Sequence, residues 1–396
     1  MIAAEVVSNF GSMMSRLAIP WLAVLVLGAT PWQMGLLAVA DVLAGAVAAL
    51  GLGVMVDRWP KRAVMVSADA ARAALLVLLA LAASGHDLSF GLLWAAATAG
   101  GVLTMAFELA RSAWVACAAE RTDLSRRNAQ LAAAGAISEA LAFGVTGALF
   151  QWAGGVIALM IDALSYLASA LLVCRVDEAQ GEAPLASAPA RPARTTPLRE
   201  VLGFVARHRD LRTLAVLEVL VAAAMGIAGT SYMIYVSRDL GLSTTVLGLV
   251  FAVGGVGSAI SAALAPRLGR RIGSRRALTW GLALAALGSV LAPLASSAGL
   301  TAVLLLLAQQ LVGDAGHVAY AIHDRTLRQT IAPADALARV DAALRGLGQA
   351  ATVAAALGGG WFASAHGARA GLWVAAGFVS AAALLAAWRS DESAHR

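Results

Sequence analysis

Ionisable side chains interrupt several of the long apolar runs in this sequence. A charged group is costly inside such a run, so each one that is retained there is a candidate for a function. We identify these as candidates for lining a cavity or for carrying a proton: Arg16, Asp41, Glu108, Glu139, Glu218, Asp314 and His317.

The carboxylates best suited to exchange a proton are Asp41, Glu139 and Asp314. If a substrate, a proton and a nearby arginine such as Arg16 compete for one carboxylate, substrate movement is coupled to proton movement. The alternative is a static ion pair, Arg16 with Glu139 or Asp69 with Arg72, that only holds helices together. His317 has a similar alternative, because a histidine in an apolar run can simply pack against its neighbours.

A short turn after the second apolar run carries one acid and three basic side chains. In the segment GVMVDRWPKR, which begins at Gly53, the acid is Asp57 and the basic side chains are Arg58, Lys61 and Arg62. An acid beside several cations at a turn between helices can form ion pairs that change partners. The alternative is that the cluster only anchors the topology, since isolated surface ion pairs contribute little free energy.

The sequence contains none of the motifs that would indicate hydrolytic, thiol or nucleotide chemistry. No His-Glu-x-x-His, Gly-x-Ser-x-Gly or paired-cysteine arrangement occurs, and Cys117 and Cys174 are far apart in the sequence. Lys61 is the only lysine and follows DRWP, so the chain contains no phosphate-binding loop. We therefore expect no enzyme, no cofactor and no metal site.

The composition indicates a membrane protein. Hydrophobic residues make up 60% of the 396 and charged residues only 13%, compared with about a quarter in soluble domains. Most of the 29 basic residues fall in alternate connections and tails, whereas Arg238 and Arg369 fall on the other side. This positive-inside bias predicts cytoplasmic termini and explains the net charge of +6 without nucleic acid, for which no basic stripe with interleaved aromatics exists.

At about 20 residues per crossing, the chain has room for roughly twelve spans. We predict them at 2–27, 33–56, 63–84, 89–115, 129–152, 154–174, 213–237, 243–266, 277–297, 299–322, 340–365 and 370–388.

One long polar segment divides the chain. We predict a first domain at 1–176, a linker at 177–212 and a second domain at 213–396. The linker begins with an Ala- and Pro-rich stretch and ends with apolar residues at helical spacing, Leu198, Val201, Leu202 and Val205. Such an amphipathic helix is expected to lie along the cytoplasmic surface of the membrane.

The two domains repeat each other weakly at an offset of 213 residues. Leu27-Gly28 aligns with Leu240-Gly241, and Gly154 aligns with Gly367. Arg270 aligns with Asp57 at this offset, so the charged turn has its acid in the first half of the chain and a base at the matching position of the second half. A parallel repeat of two apolar halves is typical of secondary transporters with a substrate site between the halves.

The segment GVMVDRWPKR resembles the loop signature of the major facilitator superfamily, Gly-x-x-x-Asp-Arg-x-Gly-Arg-Lys, with Pro60 in place of the second glycine. The segments DRWPKRAVMVSADAARA, RRNAQ, IDALSYLASALL and LRQTIAPADALARVDAALRGLG look like the drug-exporting branch that includes macrolide efflux proteins and enterobactin exporters. The resemblance covers nearly the whole chain.

The resemblance implies an all-α membrane protein with twelve transmembrane helices in two pseudo-symmetric six-helix bundles, working by alternating access in a bacterial inner membrane. It implies Arg111 as the partner of Asp57, and a cavity lined by helices 1, 4, 7 and 10. The expected function is proton-coupled export of bulky amphipathic compounds such as drugs or macrolides, by a monomer. Siderophore export, or another small-molecule facilitator on the same fold, is the alternative.

Overall fold

The computed structural model describes residues 2–47, 56, 58–118, 124–175, 198–296, 299–333 and 336–394. Every long element in these residues is a helix. Within lipid a helix satisfies all its own backbone hydrogen bonds, which an isolated strand cannot do. The side chains of Asp41 and Glu139, and the whole of Gly53 and Asp57, lie outside the described residues.

The first half of the sequence forms five helices, the last of which is broken at Gly154 (φ 79°, ψ 167°) and therefore counts as two. They are α1 (Ile2–Trp21, continued by a π-helical turn at Leu22–Val26), α2 (Pro31–Val47), α3 (Lys61–Ser84), α4 (Phe90–Ala118) and α5 (Leu124–Cys174).

The second half of the sequence forms a short helix and six long ones. They are α6 (Leu198–Arg207), α7 (Arg209–Ile234, continued by a π-helical turn at Tyr235–Asp239), α8 (Thr244–Ile272), α9 (Ser274–Leu294), α10 (Leu300–Ile331), α11 (Leu337–His366) and α12 (Ala368–Ala394). Among the described residues, eight helices are long and apolar enough to cross a membrane.

The backbone confirms the 213-residue repeat. The π-helical turns at Leu22–Val26 and Tyr235–Asp239 stand at this offset and end in the same way, before Gly28 (φ 67°) and Gly241 (φ 61°). Gly154 (φ 79°) and Gly367 (φ 91°), which also stand at this offset, both adopt positive φ between two helices. Positive φ is readily adopted only by glycine, so the matched glycines specify matched turns.

By their contacts the residues group into two compact units. The first unit comprises 1–29, 39–191 and 243–252, and the second comprises 30–38, 192–242 and 253–396. The first turns of α2 therefore pack within the second unit, and the first turns of α8 pack within the first unit.

Glycines allow these first turns to pack closely. A Cβ on Gly147 would lie 2.5 Å from the Thr244 carbonyl oxygen, and one on Gly35 would lie 2.6 Å from the Ala356 carbonyl oxygen. The two contacts, α5 with α8 and α2 with α11, involve glycines that match across the repeat, because Gly35 corresponds to Gly248 and Gly147 to Gly360. Small residues let helix backbones approach where lipid supplies no hydrophobic drive to associate.

The predicted amphipathic helix forms as α6, and two of its apolar side chains pack on the protein. Val201 (8% exposed) and Val205 (3%) of α6 pack against Leu211, Val340 and neighbouring apolar residues of the second unit. The position of α6 along the membrane surface stays a prediction. The protein itself offers the valines an apolar surface, which residue spacing alone does not reveal.

Helix α10 is longer than predicted. It ends at Ile331 rather than near residue 322, because Arg328 near its end is buried among carboxylates instead of facing water. Asp314 lies at the middle of this helix.

Candidate functional site

A polar cluster, which we call the Asp314 cluster, forms within the second unit from α7, α8 and α10. Its residues are Tyr232, Gly254, Gln309, Gln310, Asp314 and His317. The Tyr232 hydroxyl donates to Gln309 Oε1 at 2.9 Å, and Gln309 Nε2 donates to Gln310 Oε1 at 2.8 Å. Tyr232 and Gln309 are half-buried, and Gln310 is buried.

Asp314 is half-buried one helical turn after Gln310. The Asp314 carboxyl group lies near enough to the Tyr232 hydroxyl for a charge on the carboxyl group to affect it. A Cβ on Gly254 would overlap Asp314 Oδ2, and it would lie 3.2 Å from Gln310 Nε2. The missing side chain at Gly254 therefore makes the space that the carboxylate occupies.

His317 lies on the next turn of α10. Its Nδ1 lies 2.9 Å from the Gly313 carbonyl oxygen, and its Nε2 is buried and makes no hydrogen bond among the described residues. The Nδ1 contact fixes the ring against its own helix, in keeping with a packing histidine, while Nε2 keeps its capacity for one more hydrogen bond.

The Asp314 cluster can recognise a hydrogen-bonding or cationic group. Amide and phenol groups both donate and accept, and a carboxylate only accepts when it is ionised. A half-buried carboxylate in an apolar bundle attracts a cation more strongly than one in water, because the local dielectric constant is low.

A second cluster in the second unit, the Arg328 network, holds ion pairs. Arg328 is 5% exposed and contacts Glu218 Oε2 at 2.5 Å, Asp324 Oδ2 at 2.5 Å and Asp341 Oδ1 at 3.6 Å. Asp341 also binds Arg345 at 2.9 Å. Glu218, a predicted cavity residue, is therefore a partner in this network, which joins α7, α10 and α11. Breaking such a buried pair by removing one member is strongly destabilising.

The first unit holds a buried polar cluster of its own. Asp69 (0% exposed) and Arg72 (3% exposed) form the static ion pair that we gave as the alternative to a proton-exchanging site. The Arg72 guanidinium also stands over the rings of Phe107, at 4.9 Å, and Tyr166, at 4.4 Å. Arg72 is therefore in contact with Asp69, Phe107 and Tyr166. These contacts favour an ion pair that holds helices together over one that exchanges a proton.

Asp162 is the other buried acid of the first unit. It is fully buried and accepts a 2.5 Å hydrogen bond from the Ser15 hydroxyl, which joins α5 to α1. Arg16, the next residue on α1, is exposed. Its predicted pairing with Glu139 lies outside the described side chains.

The basic part of the charged turn is described. Lys61 Nζ donates to the Val56 carbonyl oxygen at 2.6 Å, and Arg62 donates to the carbonyl of Cys174 at the end of α5. Arg58 is exposed. These contacts tie the turn to the ends of α3 and α5.

Arg111, the expected partner of Asp57, contacts Glu108 Oε2 at 2.5 Å on its own helix. This pair is partly exposed, with the two side chains at 21% and 44%. The pairing of Arg111 with Asp57 stays a prediction.

Sequence reasoning missed Tyr232, Gln309 and Gln310 in the Asp314 cluster, and Asp324, Arg328 and Asp341 in the network. A signal was present for three of them, Gln310, Asp324 and Arg328. Gln310 precedes Asp314 by four residues and Asp324 precedes Arg328 by four, which places each pair on one face of a helix.

The chain matches the family model described as Major Facilitator Superfamily over residues 1–342 and 214–396. No curated protein matches its sequence.

Several solved structures share the fold. A bacterial homologue of the iron transporter ferroportin, in an inward-facing state, has a TM-score of 0.74 at 17% identity, over 97% of this chain and 96% of that chain. A bacterial homologue of the human lysosomal transporter Spinster has a TM-score of 0.77 at 14% identity, over 97% and 95%. The nucleoside transporter NupG has a TM-score of 0.69 at 13% identity, over 97% and 96%.

The matches confirm the predicted all-α, twelve-helix membrane fold and identify a transporter rather than an enzyme. One assignment follows from three findings. The family model covers the whole chain, the fold is shared with solved transporters, and polar clusters lie within apolar helices. The chain belongs to the Major Facilitator Superfamily and is a multi-pass membrane transporter of a small molecule.

Proposed function

We propose that this transporter exports bulky, amphipathic cationic compounds, such as drugs or other natural products, in exchange for protons. The observation that carries the proposal is the half-buried Asp314 at the middle of α10, with hydroxyl and amide groups beside it. An ionisable residue within a membrane helix is by default a candidate for the substrate or proton pathway.

Exchange follows from competition for one carboxylate. A proton and a substrate cation both neutralise Asp314, and they cannot do so together. The proton leaves when the cation binds, and it returns when the cation is released on the other side. Tyr232 and Gln309 would fix the orientation of the substrate through hydrogen bonds. Arg16, Asp41, Glu108, Glu139, Glu218 and His317 remain further candidates, of which Glu218 serves the Arg328 network.

The charged turn is proposed as the gate. Arg111 pairs with Glu108 in this structure, and Asp57 would compete for the same guanidinium when the transporter changes state. Arg58, Lys61 and Arg62 would hold the turn at the membrane surface, and Gly53 would give it room to bend. Replacement of Asp57 by Asn should therefore slow transport and leave substrate affinity nearly unchanged.

The basic connections suggest the location. The side of the bundle that carries most arginines should face the cytoplasm, so that both termini are cytoplasmic. The alanine- and arginine-rich composition, with a single lysine, suggests a bacterial inner membrane. We propose that the working unit is a monomer.

The test is efflux of ethidium and of erythromycin from cells that express the protein, with and without a protonophore. We expect lower accumulation of ethidium than in control cells, and loss of the difference when the protonophore is added. The Asp314→Asn variant should accumulate ethidium like control cells. The matched control is Asp239→Asn, which removes an exposed acid of the same unit and should leave efflux intact.

Unchanged accumulation of every compound would contradict the proposal. Efflux that persists with the protonophore would contradict the coupling alone. Export of a siderophore on the same fold is the alternative; it predicts loss of siderophore secretion in a deletion strain without any change in ethidium accumulation.

A further inference from the structure

A cavity of about 300 Å³ opens within the second unit, away from the Asp314 cluster. It lies where α7 and α9 begin and where α10 and α12 end, and it touches all four helices. Arginines line its polar rim, and leucines line its deeper, apolar part. We call it the basic groove.

The rim carries three guanidinium groups and one carboxylate. Arg209, Arg275 and Arg389 line the groove together with Asp210. Asp210 Oδ2 lies 2.5 Å from Arg275. Among the lining residues, three cationic side chains therefore stand beside one acidic side chain. Hydroxyl groups of Thr213, Thr279 and Ser390 complete the rim.

Helix ends add to this positive field. Helix α9 begins at Ser274, and its N-cap residue Gly273 has no side chain that could cap the first N–H groups. The start of a helix carries a partial positive charge and donors that suit a phosphate group.

The depth of the groove is apolar. Leu214, Leu217 and Leu278 line it and are buried, with 4%, 1% and 3% exposure. Beside it, α9 and α12 present large exposed apolar side chains, among them Trp280 (63%) and Trp388 (60%). Trp388 lies next to the rim residue Arg389, whose guanidinium stands 4.8 Å from the centre of the Trp388 ring.

We propose that the basic groove is a binding site for the phosphate headgroup of an anionic phospholipid. The arginines bind the phosphate, and the leucines accept the first part of the acyl chains. A free phosphate ion would contact only the arginines of the rim and would leave the apolar part of the groove unused. The apolar depth and the neighbouring exposed tryptophans favour the lipid, since basic pockets between transmembrane helices are suited to anionic headgroups.

The test measures lipid binding to purified, delipidated protein by native mass spectrometry, with phosphatidylglycerol and phosphatidylethanolamine as the two probes. We expect phosphatidylglycerol to bind more tightly. The double variant Arg275→Gln, Arg389→Gln should lower its affinity by roughly tenfold or more. Arg276→Gln is the matched control, because Arg276 is the exposed neighbour of Arg275 and does not line the groove.

Three results would overturn the proposal. Equal binding of the two lipids would remove the selectivity for an anion. An equal loss in the Arg276→Gln variant would indicate general surface charge. Competition by millimolar inorganic phosphate that fully displaces phosphatidylglycerol would identify a site for the free ion. Thermal unfolding of each variant separates these results from misfolding.

Discussion

A single methyl group at position 254 should disable the Asp314 cluster without unfolding the protein. In Gly254→Ala, the new Cβ overlaps Asp314 Oδ2 and lies 3.3 Å from its Cγ. The carboxylate is the end of a side chain, so it can rotate away and the backbones of α8 and α10 need not separate. The substitution therefore acts on the position of the charge more than on the packing of the helices.

The size of the effect follows from the interaction that is lost. A hydrogen bond that involves a charged group contributes about 1.5–3 kcal/mol. Since about 1.4 kcal/mol corresponds to a factor of ten, a rotated carboxylate should weaken binding of a cationic substrate by roughly 10- to 100-fold. Because the same carboxylate is affected, adding Asp314→Asn to Gly254→Ala should cause almost no further loss.

The assay is binding of tetraphenylphosphonium to purified protein, with thermal unfolding measured on the same samples. The matched control is Gly229→Ala on α7, where an added Cβ meets no atom within 4 Å. Wild-type affinity in Gly254→Ala would refute the role of the Asp314 carboxylate. A large fall in the unfolding temperature, with equal loss in the control, would show that the substitution disturbs packing instead.

The remaining predictions concern stability. Arg328→Gln should lower the free energy of unfolding by about 3–5 kcal/mol, because it leaves Asp324 buried without its cation; an unchanged unfolding midpoint in denaturant would show that the network is dispensable. Arg72→Gln should act similarly through fully buried Asp69, and wild-type resistance to heat would contradict the structural role of that pair. Gly288→Val should separate α9 from α10, because its Cβ would lie 2.7 Å from the backbone nitrogen of Gly313, and normal expression with normal thermal stability would contradict this close approach.

The fold was predictable because its signals are local or periodic. Long apolar runs indicated the spans, and the 213-residue offset indicated matched turns at Gly154 and Gly367, which the backbone confirms. The spacing of Asp69 and Arg72 indicated an ion pair, since residues three apart share a helix face.

The composition of the clusters was not predictable in the same way. Tyr232 and Gln309 are 77 residues apart, and Glu218 and Arg328 are 110 apart, so nothing in their local spacing indicates the contact. The same reason explains why α10 was expected to end too early. Arg328 resembles a residue at a membrane surface until its three carboxylate partners are known.

In the proposed exchange, a substrate cation displaces a proton from Asp314. The most direct measurement is proton release when tetraphenylphosphonium is added to purified protein in lightly buffered solution, repeated at several pH values between about 5 and 8. We expect release of up to about one proton per bound cation at the lower pH values, and none in the Asp314→Asn variant. Binding without proton release by the wild type, or undiminished release by the variant, would contradict it.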